Sequence, residues 1–196
     1  VDLSLPEQKD ALRRRIRAER RARPAAERAW TEEGIRARGL DAIARFGART
    51  VACYLPTATE PPTRALIAAA TAAGVRVLLP IARDDGSLDW ALPGGERTSS
   101  LRVPEPTGPA LGPGALAEAD LVLAPATAVD RSGHRLGGGG GFYDRALALL
   151  APGTPVMTVN YDSEVDDDVP REAHDVAVTG TITPTQILIH RGPPAV

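Results

Sequence analysis

Lysine is almost absent from this chain: Lys9 stands alone among 23 lysine and arginine residues. Arginine serves everywhere else, so Lys9 marks either a position where a compact ammonium is needed or a chance survivor near a frayed end. Cysteine is nearly absent too. Cys53 is the single one, which excludes an internal disulfide. No apolar run exceeds short pieces such as Leu121–Ala124, which excludes a membrane-spanning helix, and no apolar stretch follows the charged N-terminal region, which argues against a secretory leader. The three histidines His134, His174 and His190 lack metal-ligand spacing. These features predict a cytoplasmic protein with no membrane partner.

What is present is ordinary globular composition: 196 residues with 43% hydrophobic and 24% charged content, enough for one domain spanning residues 1–196. The net charge of -2 is uneven. Nine basic and three acidic residues lie between Lys9 and Arg28, which leaves an acidic remainder. A basic segment on an acidic body suits phosphate binding or docking on its own domain. The pI of about 6.0 argues against a dedicated nucleic-acid binder.

Lys9 to Ala22 has no Gly or Pro and is rich in Arg and Ala, which predicts a helix. Lys9, Leu12, Arg13 and Ile16 share one face, so Leu12 and Ile16 dock and carry Lys9 and Arg13 against the body. Arg14, Arg17 and Arg21 are expected to point elsewhere. A second helix is expected over Ala26–Ala44, then a strand over Thr50–Leu55 and a helix over Thr63–Ala73. Strands are expected over Val75–Leu79, Leu88–Leu92 and Leu121–Ala124. Pro93–Gly114 reads as an ordered loop and Phe142–Leu150 as a helix. Pro155–Val159 and Val176–Ile182 read as further strands, and the tail from His190 as loose. Alternating strands and helices imply a three-layer α/β/α, Rossmann-like fold with a mostly parallel sheet. Cys53, Trp30 and Trp90 read as packing residues, and Asp162–Asp168 as a solvated acidic loop.

The chemistry concentrates in Arg135-Leu136-Gly137-Gly138-Gly139-Gly140-Gly141-Phe142-Tyr143-Asp144-Arg145, between a strand and a helix. Each glycine costs roughly 0.5–1 kcal/mol of ordering entropy relative to alanine. The benefit is a run of bare N–H groups opening a helix, which suits phosphate; a plain flexible loop is the alternative. Asp144 in the first helical turn favours the helix dipole. With phosphate at the helix start it would be repelled unless a divalent cation lay between, so phosphate plus Asp144 implies Mg²⁺. Arg135 and Arg145 bracket the loop.

This stretch resembles the R-L-G-x-G-x-G-[YF]-Y-D-R signature of the 5-formyltetrahydrofolate cyclo-ligase family, also called 5,10-methenyltetrahydrofolate synthetases. The preceding Pro125-Ala126-Thr127-Ala128-Val129-Asp130-Arg131-Ser132-Gly133 is similar to the family's P-x-x-A-x-D-x-x-G. Lys9-x-x-Leu12-Arg13, Tyr54-Leu55-Pro56 with Glu60 and Thr63, and Pro170-x-x-x-His174-Asp175 resemble three further blocks, in order. The resemblance implies ATP- and Mg²⁺-dependent closure of 5-formyltetrahydrofolate to 5,10-methenyltetrahydrofolate, with release of ADP and phosphate. It implies that Lys9, Arg13, Arg135, Gly137 to Gly141 and Tyr143 hold ATP, with Lys9, Arg135 and Arg145 catalytic. Leu55, Glu60 and Phe142 would contact the folate, and Asp144 and Asp175 would hold the metal. A monomer without a nucleic-acid partner is expected. Many relatives carry a basic or aromatic residue where Gly138 stands and some a lysine at Gly140; some carry an aromatic at Leu101. These departures bear on affinity more than on the reaction. A folate-binding homologue without turnover is the alternative.

Overall fold

The computed structural model describes residues 3–172 and 177–190. The first helix, α1 (Leu5–Ala22), begins a turn earlier than its composition suggests, because the Glu7 carboxylate accepts the Ser4 backbone N–H at 2.8 Å. The second, α2 (Ala25–Phe46), ends at Gly47, whose left-handed φ of 59° closes the last turn. Two interior glycines cost it helix stability but permit close approach. A Cβ at Gly34 would lie 2.4 Å from the Pro184 carbonyl oxygen, and one at Gly39 2.3 Å from the Leu66 side chain.

The remaining elements follow as β1 (Thr50–Ala52), α3 (Arg64–Ala72), β2 (Arg76–Ala82), β3 (Leu88–Ala91), β4 (Glu96–Thr98), β5 (Pro104–Pro106), β6 (Leu121–Pro125), β7 (Ala128–Asp130), β8 (Arg135–Leu136), α4 (Phe142–Leu147), β9 (Val156–Val159), β10 (Val165–Asp166), β11 (Gly180–Ile182) and β12 (Ile187–Ile189). The main sheet runs β12-β11-β9-β6-β1-β2-β3. Its five inner strands are parallel, and the edge strands β12 and β3 are antiparallel to their neighbours. Side chains alternate between its faces. Val51, Val77, Leu79, Leu121 and Leu123 meet α2 and α3. Ala52, Leu78, Val122 and Ala124 meet Trp90, Leu116 and Ala146 on the opposite side. This is the expected three-layer α/β/α arrangement. No helix among the described residues is long and apolar enough to cross a membrane.

From β1 the chain crosses to β2 on one side and later returns to β6 on the other. The crevice outside the carboxyl ends of β1 and β6 is therefore the topological switch point, where doubly wound sheets bind ligands.

Several expectations need correction. The loop Pro93–Gly114 contains the β4–β5 hairpin and the start of a 3-10 turn at Pro113–Glu118. The small sheet β10-β7-β8 was not anticipated. Strands of two or three residues carry no readable alternation. Within the acidic loop, Glu164 is buried and bonded to Arg20. Trp30 is 56% exposed rather than packed. His190 is buried, hydrogen-bonded to Thr181 Oγ1 at 2.8 Å and to the Arg131 carbonyl at 3.1 Å, so the chain is anchored there.

Candidate active site

A cavity of about 700 Å³ opens at the switch point. Residues at or just past the carboxyl ends of the parallel strands line it: Tyr54 and Leu55 after β1, Pro80 and Ala82 on β2, and Pro125, Ala126 and Thr127 at the end of β6. Helix α1 contributes Lys9, Arg13, Arg17 and Arg20 to the walls, and the β4–β5 hairpin contributes Leu101, Val103, Pro104 and Glu105. Arg135 and the segment Gly137–Asp144 also line it, with Glu60 among the remaining residues.

Helix α1 is held by Ile16, which is 1% exposed, and by Leu12 packed on Ala128, Leu136 and Val169 of the small-sheet region. That docking delivers its cations. The Arg13 Nε donates to the Gly137 carbonyl at 3.0 Å while its Nη1 pairs with Asp10 at 2.7 Å. Lys9 lies 3.1 Å from Glu172. Arg17, expected to point away, donates through Nη2 to the Gly138 carbonyl at 2.9 Å. Four residues on from Arg13, it is only a fraction of a turn off the docking face, and its long side chain spans the remainder. Arg20 binds both Glu164 oxygens, at 2.6 and 2.9 Å, and the Ala126 carbonyl at 2.7 Å. Its place eleven residues from Lys9, three helical turns on, was the signal that could have found it.

The loop itself requires glycine at two positions, Gly139 and Gly141, with φ of 103° and 68°. The N–H groups of Gly138, Gly139 and Gly140 donate to nothing among the described residues and stand beside the cavity, an arrangement suited to anionic oxygens. Arg135, with its side chain 8% exposed, donates to the carboxylate of Asp144, which is 69% exposed. Arg145 stands outside the lining. Its Nε donates to the Gly86 carbonyl at 2.8 Å and its Nη2 to the Gly140 carbonyl at 2.9 Å, bracing the loop against the β2–β3 turn.

Leu55 and Phe142 supply apolar surface to the cavity, and Glu60 a carboxylate that also accepts the Thr57 N–H at 2.8 Å. The Tyr143 hydroxyl is buried without a hydrogen-bond partner among the described residues, and burial pushes its pKa well above the ordinary phenol value. Burial likewise pushes the Cys53 thiol up to about 12, so it is a core residue and no nucleophile. Trp90 packs in the core and does not line the cavity. Asp175 and His174 lie outside the described residues. No group of three metal-ligating side chains occurs among the described residues. Asp144 nevertheless fits Mg²⁺, which is commonly held by one or two carboxylates plus substrate phosphates.

A model of the 5-formyltetrahydrofolate cyclo-ligase family matches residues 6–184, the whole span that builds this cavity. The chain belongs to the 5-formyltetrahydrofolate cyclo-ligase family. A 5-formyltetrahydrofolate cyclo-ligase of Mycolicibacterium smegmatis is 39% identical over 191 residues, covering 94% of this chain and 97% of that protein. One of Escherichia coli is 30% identical over 146 residues, covering 71% and 80%. Two solved structures share the cyclo-ligase fold. A 5,10-methenyltetrahydrofolate synthetase from Mycoplasma pneumoniae superposes with a TM-score of 0.72, covering 90% of this chain and 98% of that one. The corresponding synthetase of Aquifex aeolicus gives 0.74, covering 96% and 95%. Both are 21% identical to this chain.

Proposed function

We propose that this chain is one cyclo-ligase domain that closes 5-formyltetrahydrofolate to 5,10-methenyltetrahydrofolate at the expense of ATP. The observation that carries the reading is the glycine loop: bare N–H donors, ringed by cations, at the switch point of a doubly wound sheet in a chain of this family. The formyl oxygen is a poor leaving group. Transfer of the γ-phosphoryl to it, with ADP departing, makes it a good one. Nitrogen-10 then attacks the formyl carbon and releases its proton to solvent, the C–O bond breaks with loss of phosphate, and the ring closes.

The protein aligns the formyl oxygen with the phosphorus and spreads the developing charge. Lys9, Arg13, Arg135 and the backbone of Gly137 to Gly141 hold the triphosphate. Asp144 would hold Mg²⁺ together with phosphate oxygens, and that ion would supply further charge neutralisation. Arg145 acts through the loop it braces. Tyr143 fixes the start of α4 from within the two cores. Leu55 and Phe142 pack on the folate, and Glu60 accepts the adjacent N–H donors of the pterin edge.

The test is absorbance of the methenyl product with ATP and Mg²⁺ present, each omitted, or the metal chelated. Turnover is expected only with both. Equal turnover with a chelator would sink the metal requirement, and folate binding without ADP release would make the chain a non-catalytic homologue.

A further inference from the structure

Five cationic side chains line the cavity, and they are not equivalent. Lys9 pairs with Glu172, Arg13 with Asp10, Arg20 with the buried Glu164, and Arg135 with Asp144. Arg17 lines the same cavity without a carboxylate partner among the described residues. Its one hydrogen bond there runs from Nη2 to the Gly138 carbonyl, which spends one of five guanidinium N–H donors. We infer that Arg17 is the principal electrostatic anchor for the polyphosphate of the nucleotide.

A cation already paired gains from phosphate only the difference between phosphate and the carboxylate it gives up. Arg17 gives up none and keeps its bond to Gly138 while other donors turn to phosphate. The loop supplies only backbone dipoles, because Gly137 to Gly141 have no side chains; full positive charge reaches the phosphates from α1 and from Arg135, which is itself paired with Asp144. Arg17 is an exposed residue, so its contribution is sensitive to salt. The identity of a planar fork matters here, since one edge holds the loop and the other meets the ligand.

The inference rests on the nucleotide reading above, and the experiment separates the two. ATP, inorganic tripolyphosphate and 5-formyltetrahydrofolate are titrated calorimetrically into the wild type, R17Q and the double variant R17Q/G138R, at low and high salt. The double variant returns a charge from the loop side. Gly138 has no atom within 4 Å of an added Cβ and its φ lies outside the left-handed region, so an arginine fits there. For R17Q, ATP and tripolyphosphate should bind about tenfold more weakly at low salt, with folate binding and melting temperature unchanged. That gap should narrow at high salt, and R17Q/G138R should recover most of the loss. The inference is overturned if R17Q binds tripolyphosphate as the wild type does. It is also overturned if all three ligands weaken together with a fall in melting temperature, which would make Arg17 a brace for the loop. If the wild type itself binds neither ATP nor tripolyphosphate, the nucleotide reading fails first.

Discussion

At the scale of single residues, Asp144 decides between two physical roles. In the first turn of α4 it favours the helix dipole, a contribution of roughly 0.3–1 kcal/mol at an exposed site. Yet it lies on the cavity, paired with Arg135, and once Arg135 turns to phosphate the Asp144 carboxylate would repel that phosphate unless another cation lay between. Asp144→Asn should therefore lose most turnover while its melting temperature falls by no more than about 2–4 °C. Initial rates across a Mg²⁺ titration, with a parallel melt, check this. Full activity with unchanged metal dependence would reduce Asp144 to a helix-start residue. Gly139 and Gly141 illustrate the same scale from the backbone side: their positive φ admits no ordinary side chain without strain, whereas Gly138 is glycine without that constraint.

At the scale of elements, the edge strand β12 is tied down by a chain of polar contacts. Thr158 and Thr181 share a hydroxyl contact of 2.9 Å, and Thr181 meets His190 Nε2 at 2.8 Å. The His190 Nδ1–H donates to the Arg131 carbonyl at 3.1 Å, which leaves Nε2 as the acceptor in the neutral ring. Burial lowers the His190 pKa below its ordinary value, only partly offset by that carbonyl and by Asp130. The unfolded chain therefore takes up the proton first. Stability from this group is fully present above about pH 6.5 and is lost as pH falls from there through the lower folded pKa. Melting temperature should thus fall between about pH 7.5 and about pH 5, and more steeply for the wild type than for His190→Gln. Identical pH profiles would show that the ring titrates alike in both states.

At the scale of the whole molecule, Arg20 and Glu164 clamp α1 to the carboxyl end of the sheet. Glu164 also accepts Asn160 Nδ2 at 3.0 Å and the Tyr161 N–H at 3.1 Å, while the Tyr161 hydroxyl reaches the Glu60 carbonyl at 3.3 Å. One network therefore spans the helix that carries the cations and the loop that carries Glu60. Arg20→Leu leaves a buried carboxylate unpaired, at a cost of about 3–5 kcal/mol, or a fall in melting temperature of roughly 10 °C. Adding Glu164→Gln should return part of that loss. A single variant melting within about 2 °C of the wild type would mean that water reaches Glu164. This clamp also shows where sequence reasoning stops. The glycine loop, the bracketing arginines, the docking face of α1 and the alternation of strands with helices are local spacings, and they were legible because one element's period or one loop's composition encodes each. The burial of Glu164 in an acidic segment, the turn of Arg17 toward the loop, the exposure of Trp30 and the β10-β7-β8 sheet were not legible. Each depends on partners far away in the chain, and strands of two or three residues leave no period to read. The sequence alone thus determined the fold class and the residues of the loop; tertiary packing decided which of the cavity's cations pair with a carboxylate among the described residues and which does not, because ion pairing is set by distance in space.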